Sequence, residues 1–191
     1  MYNAQKSAIF LLALCKSAHI QKYGLTKIAE IIKREFQILE NEGLVIDGFD
    51  RKVYASLACI AGDNLNSHII GGFSASFSPN VSCPCQYCMV SNTELQEVIC
   101  TDDLLLRTKS SYDEQVLEVK QVCEKASLYG IRYRSPFNSE SYHVVDGLPP
   151  DIMHDMLEGV IPFELTLVLR TLTEHKCLHL EELNNKLVSW N

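Results

Sequence analysis

A chain of 191 residues, 47% hydrophobic and 21% charged, has enough apolar material for one folded domain and too balanced a composition for wholesale disorder. Its formal net charge of −7 and sequence pI of about 5.3 argue against a free-standing nucleic-acid binder, whose footprint is basic. A domain that meets DNA only through metal ions or a partner could still be acidic, so that class stays open.

In chain order, Ala4 to His19 carries apolar residues at helical spacing. Ala8 to Cys15 follows Lys6 as the core of a signal peptide would, but Lys16 cuts it short, and the helical pattern continues. Nowhere does an apolar run reach the length of a membrane span. After Tyr23-Gly24, the residues Leu25, Ile28, Ile31, Ile32, Phe36 and Leu39 predict a second helix ended by Glu42-Gly43. Leu44–Asp47 and Lys52–Ala61 predict two strands joined through Asp47-Gly48-Phe49-Asp50, a hairpin signal. The second is apolar on both faces near its end, as a central strand is. Gly62-Asp63-Asn64 stops it, which would leave the Asp63 carboxylate at the sheet's end facing a cleft.

Residues 67–79 predict loop or short strand, and Asn80-Val81-Ser82 is a glycosylation sequon without meaning for an intracellular protein. Ser111-Tyr112-Asp113-Glu114 has capping-box form and opens a helix that Gly130 ends. Residues 131–145 predict irregular structure or short strand. Gly147-Leu148-Pro149-Pro150 then leads into a helix that sets Asp151, His154, Asp155 and Glu158 on one face. Apolar helices are expected over 163–172 and 180–190, and no internal repeat or linker divides the chain.

Three of the eight cysteines cluster. Cys85 and Cys88, with Cys83 beside them, have the spacing of one edge of a zinc tetrahedron, against the alternatives of a chance cluster or a redox pair. The remaining ligands are open among His143, His154, Asp151, Cys100 and Cys123. Cys15, Cys59, Cys100, Cys123 and Cys177 otherwise read as small buried hydrophobes in a reducing compartment. Asp63 alone reads as a turn former, and Asp151 with His154 as a polar helix stripe or a metal pair.

Taken in order, Gly62-Asp63-Asn64-Leu65, Gly71-Gly72-Phe73, Cys85-x-x-Cys88 and Gly147-Leu-Pro-Pro-Asp151-Ile-Met-His154-Asp-x-Leu-Glu-Gly159 resemble the catalytic region of DDE/D transposases, most of all the CACTA (En/Spm)-like group. Ser7 to Lys16, running on to Lys22-Tyr23-Gly24, is also like the helical segment before the second acid in that group. The resemblance covers most of residues 5–170 and draws its specificity from order and spacing. It implies an α/β fold: an incomplete ribonuclease-H-like mixed sheet flanked by helices, with a cysteine-knuckle insertion. Residues 1–191 would form a single partial catalytic domain. Within it, 5–43 would be a helical segment and 44–66 the strands carrying the second acid. Loop and knuckle would span 67–110, and a mainly helical part with the Asp-x-x-His signature 111–191.

By the same resemblance Asp63 is the second catalytic acid, and Asp151 and His154 are signature residues. Cys83, Cys85 and Cys88 hold structural zinc with His143 or His154 as candidate fourth ligand. Family chemistry would use Mg or Mn, two ions roughly 4 Å apart that activate water and then a DNA 3′-hydroxyl. The first acid is expected before residue 1 and the third beyond Asn191, since Glu164, Glu174, Glu181 and Glu182 carry no matching motif. The expected product is a transposase-derived fragment, truncated at both ends and inactive alone, which meets DNA only within a complete transposase. It would be intracellular, nuclear if functional, without membrane contact and open to homo-oligomer formation. The alternative is a non-catalytic zinc-stabilised protein-interaction module.

Overall fold

A computed structural model describes residues 10–75 and 80–189. Helices α1 (Ser17–Tyr23) and α2 (Thr26–Asn41) come first, followed by α3 (Asn64–Gly71), α4 (Lys109–Gln121), α5 (Lys125–Tyr129) and α6 (Val144–Gly147). A π-helical segment, Met153–Val160, runs directly into α7 (Ile161–Glu174), and α8 (Leu180–Val188) follows. Helix α2 matches its expected position. Of the first expected helix, residues 4–9 lie outside the described residues and only Ser17–Tyr23 is helical.

The expected ribonuclease-H-like mixed sheet is not there. Among the described residues no strand forms, and extended pairing is confined to three isolated antiparallel bridges, Leu44–Val53, Phe73–Ile131 and Cys88–Leu106. The expected hairpin shrinks to Leu44 and Val53, which exchange both backbone hydrogen bonds at 2.8 Å. Beyond Val53 the chain is irregular and has no neighbouring strand. Ala55 donates to the Leu39 carbonyl (3.3 Å) and Ile60 to the Gly147 carbonyl (2.9 Å), so the segment is tied to the ends of two helices, α2 and α6. An apolar run can therefore look like a central strand while lacking the ladder that makes one.

The core is small and lies between α3, α4 and α6. Phe73, Tyr112, Val116, Ile131, Tyr142, Val144 and Leu148 are buried together. Tyr112, fully enclosed, meets Phe73 edge-on at 5.5 Å and His143 at 5.2 Å between ring centroids. Its hydroxyl donates to the Gly71 carbonyl (2.7 Å) and accepts the Ser135 amide (2.9 Å), which fixes two loops to α4. The start of α4 is a capping box, but it begins at Thr108: the Thr108 hydroxyl accepts the Ser111 amide and the Ser111 hydroxyl accepts the Thr108 amide. The expected start at Ser111 is thus three residues late. The expected stop at Gly130 holds for α5, because Val122 leaves helical geometry after α4.

Two glycines make the Phe73–Ile131 crossing feasible. Gly72 has φ +75°, and a Cβ there would stand 2.0 Å from the Tyr133 carbonyl oxygen. Gly130, at φ +67°, would bring its Cβ within 2.2 Å of the Cys83 carbonyl oxygen.

Candidate functional site

Two chemistry-bearing clusters lie side by side. The first gathers the residues of the two most distant motifs. Asp63 is the N-cap of α3, its side chain accepting the Asn66 amide at 2.7 Å. It therefore sits at a helix start after an extended stretch and not at the tip of a sheet strand. One residue on, the Asn64 side-chain amide donates to Asp155 at 2.6 Å, drawing the start of α3 onto the π-helical segment 91 residues away in sequence.

Asp151 caps that segment, accepting the amides of Met153 (3.1 Å) and His154 (3.3 Å). The His154 Nδ1 also hydrogen-bonds Asp151, and its Nε2 lies 4.0 Å from Glu158. The segment is wound as a π-helix: the Ile161 amide reaches back five residues to the Met156 carbonyl. Gly159 allows the wide turn, since a Cβ there would stand 2.8 Å from the His154 carbonyl oxygen. The expected straight α-helical face is replaced by this looser turn.

The hydrogen bond to Asp151 raises the His154 pKa above its usual 6.5. Partial desolvation opposes this, and the negative fields of Asp151, Glu158 and Asp63 add to the rise. For Asp151, desolvation pushes upward, but the His154 hydrogen bonds outweigh it and leave the carboxyl below its usual range. An imidazole whose pKa rises on folding contributes stability that is complete below about pH 6.5 and is lost as pH climbs through the folded value. In an NMR titration His154 is expected to titrate above 6.5, and Asp151→Asn to bring it down toward that value.

The second cluster is the cysteine loop. Cys83 and Cys88 are buried and Cys85 is half-buried. Cys85 and Cys88 flank one bend, and the Tyr87 amide donates to the Cys85 sulfur at 3.3 Å. Cys83 is turned elsewhere, its thiol donating to the Met89 carbonyl at 3.4 Å. Burial pushes Cys83 and Cys88 above the ordinary thiol pKa, with Arg107 pulling both back.

Arg107 is the organising side chain of this loop. It is 4% exposed and donates to the carbonyls of Cys85 (2.9 Å), Cys83 (3.1 Å) and Tyr129 (2.6 Å), and to the Gln115 side chain (2.9 Å). Its guanidinium also lies 5.5 Å from the Phe73 ring centroid. The Arg107 amide donates to the Tyr87 carbonyl and the Met89 amide to the Leu105 carbonyl, both at 2.8 Å, flanking the Cys88–Leu106 bridge. The sequence analysis does not single out Arg107, whose only signal there is a cation directly after Leu104-Leu105-Leu106.

Tyr87 connects the clusters. Its hydroxyl donates to the Leu148 carbonyl at 3.3 Å, and burial leads the rise in its pKa, with Asp155, Cys85 and Asp151 adding to it. His143 stands apart from both. Its Nδ1 accepts the Val145 amide (3.2 Å), its Nε2 lies 3.8 Å from Asp113, and burial holds its pKa below 6.5 despite that carboxylate.

Asp63, Asp151 and His154 are thus brought together, and Cys85 with Cys88, while Cys83 and His143 have other partners. Among the described residues no group of three or more His, Cys, Asp or Glu side chains is placed to hold a metal ion. As folded, Asp63, Asp151 and Asp155 accept hydrogen bonds from helix-start amides, His154 and Asn64. The two neighbouring thiols supply half of a zinc tetrahedron. Among the described residues no helix is long and apolar enough to cross a membrane. No family model, curated protein or solved structure matches the chain.

Proposed function

We propose that this chain is transposase-derived and does not cut DNA by itself. The observation that supports this reading is the Asn64–Asp155 hydrogen bond. It joins the Gly62-Asp63-Asn64 stretch to the Asp151–Glu158 stretch, two motifs whose order and spacing carry the resemblance to CACTA-like transposases. Metal-dependent cleavage and strand transfer belong, on this reading, to a complete transposase acting on DNA in the nucleus with Mg or Mn. Here the acids serve as caps and as partners of His154 and Asn64. With Mg²⁺ or Mn²⁺ and transposon-end DNA, the purified chain is expected to leave the DNA intact. Cleavage by the wild-type chain that disappears in Asp63→Asn, a substitution that keeps a good N-cap, would overturn the proposal.

A second reading, a zinc-stabilised protein-interaction module, is favoured by the apolar surface of the C-terminal helices. Ile152 is 67% and Phe163 63% exposed, and Leu157, Leu165 and Val168 are also solvent-facing. This reading needs ligands beyond Cys85 and Cys88, with Cys83, His143 and His154 the ones to test. About one zinc per wild-type chain is expected on metal analysis, against none in a Cys85→Ser, Cys88→Ser variant. Equally little zinc in both would remove it.

A further inference from the structure

We propose that Cys85 and Cys88 form a redox-active dithiol, which closes to an intrachain disulfide by exchange with a low-molecular-weight disulfide such as oxidised glutathione. The proposal rests on the geometry of the loop and does not depend on the transposase reading or on zinc. The two cysteines flank one bend with two residues between them, and their exposures differ: Cys85 is half-buried and Cys88 is 4% exposed. That asymmetry separates an attacking sulfur that an external disulfide can reach from a resolving sulfur that it cannot. The Tyr87 amide, donating to the Cys85 sulfur at 3.3 Å, holds that sulfur in place on the loop. The Arg107 guanidinium, bonded to the Cys83 and Cys85 carbonyls, puts a fixed positive charge beside the loop. Cys83 is held off by its own bond to the Met89 carbonyl, so the pairing is specified between three candidates.

The exchange balances without a further reagent. The Cys85 thiolate attacks one sulfur of oxidised glutathione, forming a mixed disulfide and expelling one glutathione thiolate, which takes up the Cys85 proton. Cys88 then attacks the Cys85 sulfur, the protein disulfide forms, and the second glutathione leaves with the Cys88 proton. Two protein thiols are oxidised and one glutathione disulfide is reduced to two thiols. The consequence reaches the acid cluster, because the Tyr87 that hangs between the two cysteines also holds the Leu148 carbonyl three residues before Asp151.

The test uses the full chain in chelator-containing buffer, equilibrated at a series of reduced-to-oxidised glutathione ratios, quenched by alkylation and mapped by tandem mass spectrometry. Trypsin leaves residues 53–107 as one peptide, so fragmentation within it assigns each sulfur. The wild-type chain is expected to show a Cys85–Cys88 bridge and no lasting glutathione on Cys85. Cys88→Ser is expected to trap glutathione on Cys85, whereas Cys85→Ser leaves the buried Cys88 unmodified. The proposal is overturned if wild-type Cys85 and Cys88 stay thiols at ratios that modify the exposed Cys100 and Cys123. A stable glutathione adduct on wild-type Cys85 would overturn it equally.

Discussion

Arg107→Ala is expected to lower the unfolding free energy by about 4 kcal/mol. The deletion leaves the carbonyls of Cys83, Cys85 and Tyr129 and the Gln115 side chain without their donor, the Cys83 carbonyl in a buried bond and the other three in partly buried ones. Each buried acceptor left unpaired costs on the order of 1–3 kcal/mol, and the losses overlap because the same loops relax together. Arg107→Lys recovers little, because one ammonium cannot reproduce a planar fork that serves four separate acceptors. Arg107→Met tests whether burial of the stem matters more than the charge. It is expected to fall close to alanine, because the orphaned carbonyls remain. Urea denaturation followed by circular dichroism measures all three against the 5–15 kcal/mol typical of a whole domain.

The second large effect is alkaline. Burial pushes the phenols of Tyr112 and Tyr142 up to about 12, from an ordinary value near 10, with the Ser135 amide opposing the rise at Tyr112. Both acids therefore hold their protons more tightly in the folded chain than in the unfolded one. Stability from this source is complete below about pH 10 and drains away as pH rises toward 12. At roughly 1.4 kcal/mol per pKa unit, each tyrosine removes on the order of 2–3 kcal/mol across that window. The midpoint of urea unfolding is expected to fall steeply above pH 10, in step with phenolate absorbance. In Tyr112→Phe the fall becomes shallower, and at neutral pH the variant starts about 1–2 kcal/mol less stable because the Gly71 carbonyl and Ser135 amide lose their shared hydroxyl.

Helices were readable where periodicity and punctuation agreed, as in α2, whose apolar positions run from Ile28 to Leu39 and whose end is marked by Gly43. The sheet was not, for a reason specific to strands. Val53 to Ala61 has the composition of a buried strand, but a strand exists only through partners, and sequence does not display whether partners are present. In this chain Leu39 and Gly147 take the hydrogen bonds that a ladder would have used. The site was legible in part. Order and spacing singled out two stretches, around Asp63 and around Asp151 and His154, which the Asn64–Asp155 hydrogen bond joins, and Cys85 with Cys88, which flank one bend. Cys83 resembled its two companions by spacing alone, and only the fold turns its thiol toward Met89. Arg107 and Tyr112, which fasten the loops, were illegible because a single buried cation or phenol has no repeating pattern to announce it.

Packing is distributed unevenly along the chain. Helix α7 makes its main contacts with the π-helical segment immediately before it, and its apolar side chains face water, whereas α4 and α6 share a closed interior pinned by Tyr112 and the guanidinium of Arg107. Amide protons should record that contrast as two tiers. Those of Val116 and Val119 exchange only when the interior opens as a unit, and those of Leu167 and Leu172 exchange by fraying of a helix that little else holds in place.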